Sequence, residues 1–119
     1  MAKTENNPMN EIQKIKRAIA RAYHVTPYLL EGPLRLAQLV EPRHVAMWFC
    51  RALTKESLAE IGRQFGGRHQ KTVAWAVRSV ANRCQTEMKF RVKIGRLSTE
   101  VEKALHPELS CRKKKAIIP

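Results

Sequence analysis

The chain has 119 residues, with 23 Lys+Arg against 10 Asp+Glu and a formal net charge of +13. That length supports one small domain with tails, and that charge predicts a polyanionic partner. Cys50, Cys84 and Cys111 are an odd set without C-x-x-C spacing, which argues for a reducing compartment and against a zinc finger. The longest apolar run, Val45 to Cys50, is far too short to cross a bilayer, and the polar N-terminus has no signal-peptide pattern. A cytoplasmic, nucleoid-associated protein with no membrane contact is expected. The basic tail Arg112, Lys113, Lys114 and Lys115 carries only four of the charges, so the excess belongs to the folded part as well.

Residues 1–8 are expected to be flexible, with Pro8 suited to opening a helix. Ile12, Ile15, Ile19 and Tyr23 recur at helical spacing, with Lys14, Lys16, Arg17 and Arg21 on other faces. This predicts an amphipathic helix to about Tyr23. Thr26-Pro27 has the form of an N-cap and first-position proline, and Gly32-Pro33 stops the one-turn helix that follows. Residues 34–41 read as a linker with one basic residue, Arg35. Pro42 is expected to open the next helix. Its buried stripe would be Val45, Ala46, Phe49, Ala52 and Leu53, with Cys50 in the core and Trp48 at the margin. Arg43, His44 and Arg51 are expected on its solvent side.

Ser57 to Val80 reads as helix, glycine turn, helix, and the rest of the chain is organised around it. Ser57 and Glu60 have the S-x-x-E spacing of a capping box, which starts a helix near Leu58. Gly66 and Gly67 end it, since glycine adopts the left-handed turn conformation without steric cost. In the second helix Val73, Ala76, Val77 and Val80 make one apolar stripe. The other face and the first turn carry Arg68, His69, Gln70, Lys71, Thr72, Trp75 and Arg78. That is the sequence form of a DNA-binding helix-turn-helix. Beyond it, Phe90, Ile94, Leu97, Val101 and Leu105 predict a last helix, weakened by Gly95, that either continues through Ser98-Thr99-Glu100 or restarts there, and ends at Pro107. No strand pattern occurs. The fold class is all-α, a small bundle of about six helices. A helix-turn-helix domain would span residues 9–107, with a basic, disordered tail over 108–119.

The string Leu58-Ala59-Glu60-Ile61-Gly62, then Phe65-Gly66-Gly67-Arg68-His69-Gln70-Lys71-Thr72-Val73, resembles the signature of the DNA-binding domain of DnaA, the bacterial replication initiator. Glu41-Pro42-Arg43-His44-Val45-Ala46-Met47 resembles that family's R-P-R-Q-x-A-M, and Leu53-Thr54 with Ser57-Leu58 its L-T-x-x-S-L. The similarity extends over about residues 12–105. It implies a Trp repressor-related helical bundle with the helix from about His69 to Arg83 in the major groove. It further implies a phosphate held by Arg43 and a minor-groove contact by Arg35. Three departures limit the carry-over. The family's base-reading D-H-T is His69-Gln70-Lys71 here, which predicts a recognised sequence other than the usual DnaA box. The linker carries Leu34, Leu36, Leu39 and Val40 where the family is basic. No G-x-x-x-x-G-K-[ST] occurs, so the nucleotide-hydrolysing module of a full initiator has no counterpart in this sequence.

The candidate DNA contacts are therefore Arg35, Arg43, Lys55, Arg63, Arg68, His69, Gln70, Lys71, Thr72, Trp75 and Arg78. Gln70 and Lys71 suit base edges and Arg68 a phosphate. His69 reads a base or caps the helix, and Trp75 packs on DNA, on a partner or in the core. His24, His44, His69 and His106 are scattered, so no metal site is expected. No cofactor is expected either, and no catalytic arrangement stands out. The expected function is selective binding of double-stranded DNA in the regulation of transcription or replication. The alternatives are a protein-interaction module docking through the 34–40 linker or Trp75, non-specific DNA compaction, and RNA binding.

Overall fold

The computed structural model describes residues 10–33 and 36–106; the expectations for Pro8, Leu34, Arg35, Pro107, Cys111 and the basic tail fall outside them. Six helices follow one another: α1 Glu11–Ala22, α2 Pro27–Glu31, α3 Ala37–Leu53, α4 Leu58–Gln64, α5 Gln70–Thr86 and α6 Met88–Leu105. No strand occurs among the described residues, and the fold is all-α.

Each boundary has a local cause. Asn10 caps α1, its Oδ1 accepting from the Gln13 amide at 2.8 Å. The helix ends at Ala22, where His24 takes a left-handed φ of 59° and Val25 N–H reaches back to the Ala20 carbonyl. That pairing satisfies carbonyls the helix end would otherwise orphan. Thr26 caps α2 as expected, with Pro27 in its first turn. Ser57 Oγ accepts from Glu60 N–H at 3.0 Å. The reciprocal half of that capping box is absent, because Glu60 turns its carboxylate to Arg63 and Gln64 instead. Gly66 and Gly67 have φ of +79° and +76°, the left-handed turn predicted for them. α6 runs through Gly95 and Ser98 without a break.

The largest correction concerns α3. It opens at Ala37 and carries Pro42 in its interior. An internal proline costs roughly 3 kcal/mol. Burying Leu39, 1% exposed, returns about 1.5–3 kcal/mol, and the same turn brings Glu41 to three partners. The stretch expected to be a linker is thus helical from Ala37, and Leu39 belongs to the core.

The core forms where α3 crosses α5 and α1 crosses α6, with α4 packed on α5. Ile12, Ile15, Ile19, Val45, Ala46, Phe49, Cys50, Ile61, Phe65, Val73, Ala76, Val80, Phe90, Ile94, Leu97 and Val101 fill it. Ala52 and Leu53 are exposed, against expectation, while α3 turns Met47 inward alongside the expected Cys50. Burial pushes the Cys50 thiol up to about 12 against the pull of the Lys16 ammonium, so it is an inert core group.

Candidate nucleic-acid interface

Three cations placed on outer faces by sequence reasoning are built into the scaffold. Lys16 is fully buried: its Nζ donates to Glu31 Oε2 at 2.8 Å and to the Gln64 carbonyl, and lies 4.8 Å from the Phe65 ring centre. Arg43 is 5% exposed. Its Nε donates to the Leu30 carbonyl and its Nη2 to those of Leu29 and Gly32. Arg68 donates through Nη1 to the Phe65 and Glu31 carbonyls and through Nη2 to that of Gly32. The last carbonyls of a helix have no partner inside it, and here two planar guanidinium groups supply donors to the end of α2. Arg43 therefore does not stand on the solvent side, and the described contacts of both arginines are structural.

A fourth network ties the helices behind α5. Glu41 accepts from Tyr23 Oη at 2.7 Å, Lys93 Nζ at 2.7 Å and Arg83 Nη1 at 3.0 Å. Burial alone would raise Glu41, but the hydrogen bonds from Lys93, Tyr23 and Arg83 prevail and hold it at about 2. Arg83 also pairs with Glu87 and covers the Phe90 ring. Arg83 thus ties α5 to Glu41 of α3 and to the start of α6.

α5 itself starts on His69. The ring Nδ1 accepts from the Lys71 amide at 3.0 Å, which makes His69 the N-cap and leaves Nε2 as its N–H. Of the two roles left open for His69, the structure shows the cap. Gln70, Lys71 and Thr72 follow in the exposed first turn. Gly62 explains how close the two helices of the motif come. A Cβ there would collide with the Arg68 carbonyl, and one on Gly66 would collide with the Glu31 carbonyl.

Along α5, Val73, Ala76 and Val80 are buried. On the diametrically opposite side, Lys71, Trp75, Arg78 and Asn82 are all exposed. Their 4, 3 and 4 residue spacing places them within about 60° of one another on the helix. Asn82, which sequence reasoning left out, joins this row; the same counting from Lys71 would have found it. Trp75 is 57% exposed, so it is not a core residue. Its ring meets His44 edge-on at 5.3 Å. Burial, then the charges of Arg43 and Arg68, hold the His44 imidazole below its usual range.

Lys55 and Arg63 are exposed before and within α4, Arg63 engaged with Glu60. Arg35 is outside the described residues. A cleft of about 570 Å³ between the end of α2, α3 and the start of α5 is walled by Gly32, Arg43, His44, Arg68 and Thr72. Among the described residues no cluster of three or more His, Cys, Asp or Glu is placed to hold a metal ion, and no helix is long and apolar enough to cross a membrane.

Comparison with known proteins gives a consistent result. The family model described as bacterial dnaA protein helix-turn-helix matches residues 12–80. A chromosomal replication initiator protein DnaA from Wolbachia pipientis wMel is 38% identical over 86 residues, 72% of this chain and 19% of that protein. The proteins of that name from Rhodopseudomonas palustris strain BisB5 and Nitrobacter hamburgensis are each 47% identical over 70 residues, 59% of this chain and 15% of theirs. The alignments thus span less than a fifth of those relatives' length.

Proposed function

This chain belongs to the family of bacterial DnaA helix-turn-helix domains, and from that premise we propose that it binds double-stranded DNA at selected sites by laying α5 in the major groove. The observation that carries the proposal is the two-sided build of α5. One side closes the core, and the other offers Lys71, Trp75, Arg78 and Asn82 to solvent beside the polar first turn. Lys71, Gln70 and Thr72 supply donors and acceptors to base edges, and Lys55, Arg63 and Arg78 supply charge to phosphates. Arg43 and Arg68 set the pose of the motif from within. The named relatives are replication initiators, which supports a role at replication control sites; control of transcription is the other role proposed for the same binding. The protein acts without catalysis of its own.

Selection of bound sequences from random duplex DNA tests the reading. A defined consensus is expected, with affinity for it at least a thousandfold above that for random duplex, the lower end of site-specific proteins. With roughly six phosphates neutralised, log K should fall against log salt with a slope near −5. A specificity ratio near one would support non-specific compaction instead. A second reading has one observation in its favour. Val40 and Trp75 border a cavity of about 480 Å³ lined mainly by apolar side chains, a surface a protein partner can also use.

A further inference from the structure

Trp75 is the large exposed hydrophobic residue that stands within the outward row of α5; Tyr28, Leu36, Val40, Leu53, Met88 and Val92 lie on other elements. Its neighbours along the row are Lys71 one turn before and Arg78 one turn after, both exposed. The indole is held in position. His44 meets it edge-on at 80°, and the cavity beside it is floored by Ala37, Val40, Val45, Val80 and Phe90. A large apolar ring kept at the crest of a polar helix face exposes apolar area to water in the free protein, which points to an apolar contact in the bound state.

The major groove offers one apolar group on base edges, the 5-methyl of thymine. We infer that Trp75 is a specificity-determining residue that reads a thymine methyl, while Lys71 donates to an acceptor on a nearby base pair. The inference rests on the reading of α5 as the groove helix. Four residues of helix advance about 6 Å, or roughly two base-pair steps of 3.4 Å. The thymine therefore lies one or two steps from the base that Lys71 contacts. Arg78, one turn further along, is placed for the flanking backbone.

Uracil tests this, since it differs from thymine only by lacking that methyl. In the duplex selected by the full chain, each thymine is replaced singly by deoxyuridine and affinities are measured by fluorescence anisotropy. At one or two positions the wild-type protein should lose about fourfold, the worth of one buried methyl. Trp75→Ala and Trp75→Gln, with unchanged helicity by circular dichroism, should bind more weakly overall and no longer distinguish uracil from thymine there. Trp75→Phe, which keeps an apolar ring, should retain part of the discrimination. If the wild type binds the duplex but ignores the methyl everywhere, or both polar and truncated variants keep its sensitivity, the inference is overturned while the groove reading stands. If the wild type binds no duplex, both fall together.

Discussion

Arg43 and Arg68 donate to the same carbonyl oxygen, that of Gly32, at 3.4 and 2.8 Å. One arginine comes from α3 and the other from the turn that opens α5, so the end of α2 is the hinge pin of the helix-turn-helix. Arg43→Ala should destabilise the protein by about 3 kcal/mol, since it strands buried carbonyls that had a charged donor. Arg43→Lys should recover little, because a point charge cannot serve three acceptors arranged for a planar fork. Urea unfolding measures both. Equal stability of Arg43→Ala and wild type, with a salt slope for DNA binding reduced by about one, would instead favour the phosphate role expected from the sequence.

The glycines of the motif should rank by what surrounds them. Gly67 has a positive φ but open space around its missing Cβ. Gly67→Ala should therefore lose about 1–2 kcal/mol, the cost of the left-handed conformation. Gly66→Ala adds a collision with the Glu31 carbonyl, and Gly62→Ala meets the Arg68 carbonyl. Both should lose more than Gly67→Ala in thermal unfolding. A reversed order would show that the close approach of α4 to the turn does not constrain the fold.

Much of this architecture was legible in the residues, and what escaped did so for two physical reasons. The capping of α2, the glycine turn and the apolar stripe of α5 are local signals, and each lies where its spacing put it. Lys16 and Arg43 were misplaced because side-chain chemistry alone reads a cation as solvent-facing. Their partners are carbonyls or carboxylates of other helices, far away in the chain, and local pattern carries no information about them. The start of α3 is different. Leu39, Ala46 and Cys50 keep helical spacing across Pro42, and that phase was available to outweigh the proline. The row on α5 was partly seen; the burial of Val73, Ala76 and Val80 fixes its direction and adds Asn82.

The Glu41 hub should give the protein two pH limits. Its carboxyl is held at about 2 against an ordinary 4.5. A depressed folded-state value means that its contribution is complete above about pH 4.5 and is lost as pH falls towards 2. Tyr23 is raised above its ordinary 10 by burial and by its bond to Glu41. A raised value means the opposite sign: its contribution is complete below pH 10 and declines as pH rises beyond it. Glu41→Gln should lower stability by about 1 kcal/mol at neutral pH, since water screens the hub, and should flatten the acid limb. Tyr23→Phe should flatten the alkaline limb and, because it removes one of the hydrogen bonds that hold Glu41 low, weaken the acid limb in part. Chemical denaturation across pH measures both, and unaltered limbs in the variants would show that other groups set them.

Lys71→Ala separates recognition from folding. The side chain is exposed, so stability should change by no more than about 0.5 kcal/mol. If Lys71 reads a base, affinity should fall by about 1–3 kcal/mol and tolerance should appear at one position of the bound sequence. A uniform loss across all sequences, with a salt slope reduced by about one, would assign it to a phosphate instead.

Because α5 keeps its packing residues on one edge and its outward row on the other, the two can change independently. A substitution at position 71, 75, 78 or 82 leaves the interior seam intact. The scaffold can therefore drift to new targets through a few surface replacements without passing through unfolded intermediates, which makes it a ready starting point for retargeting by design.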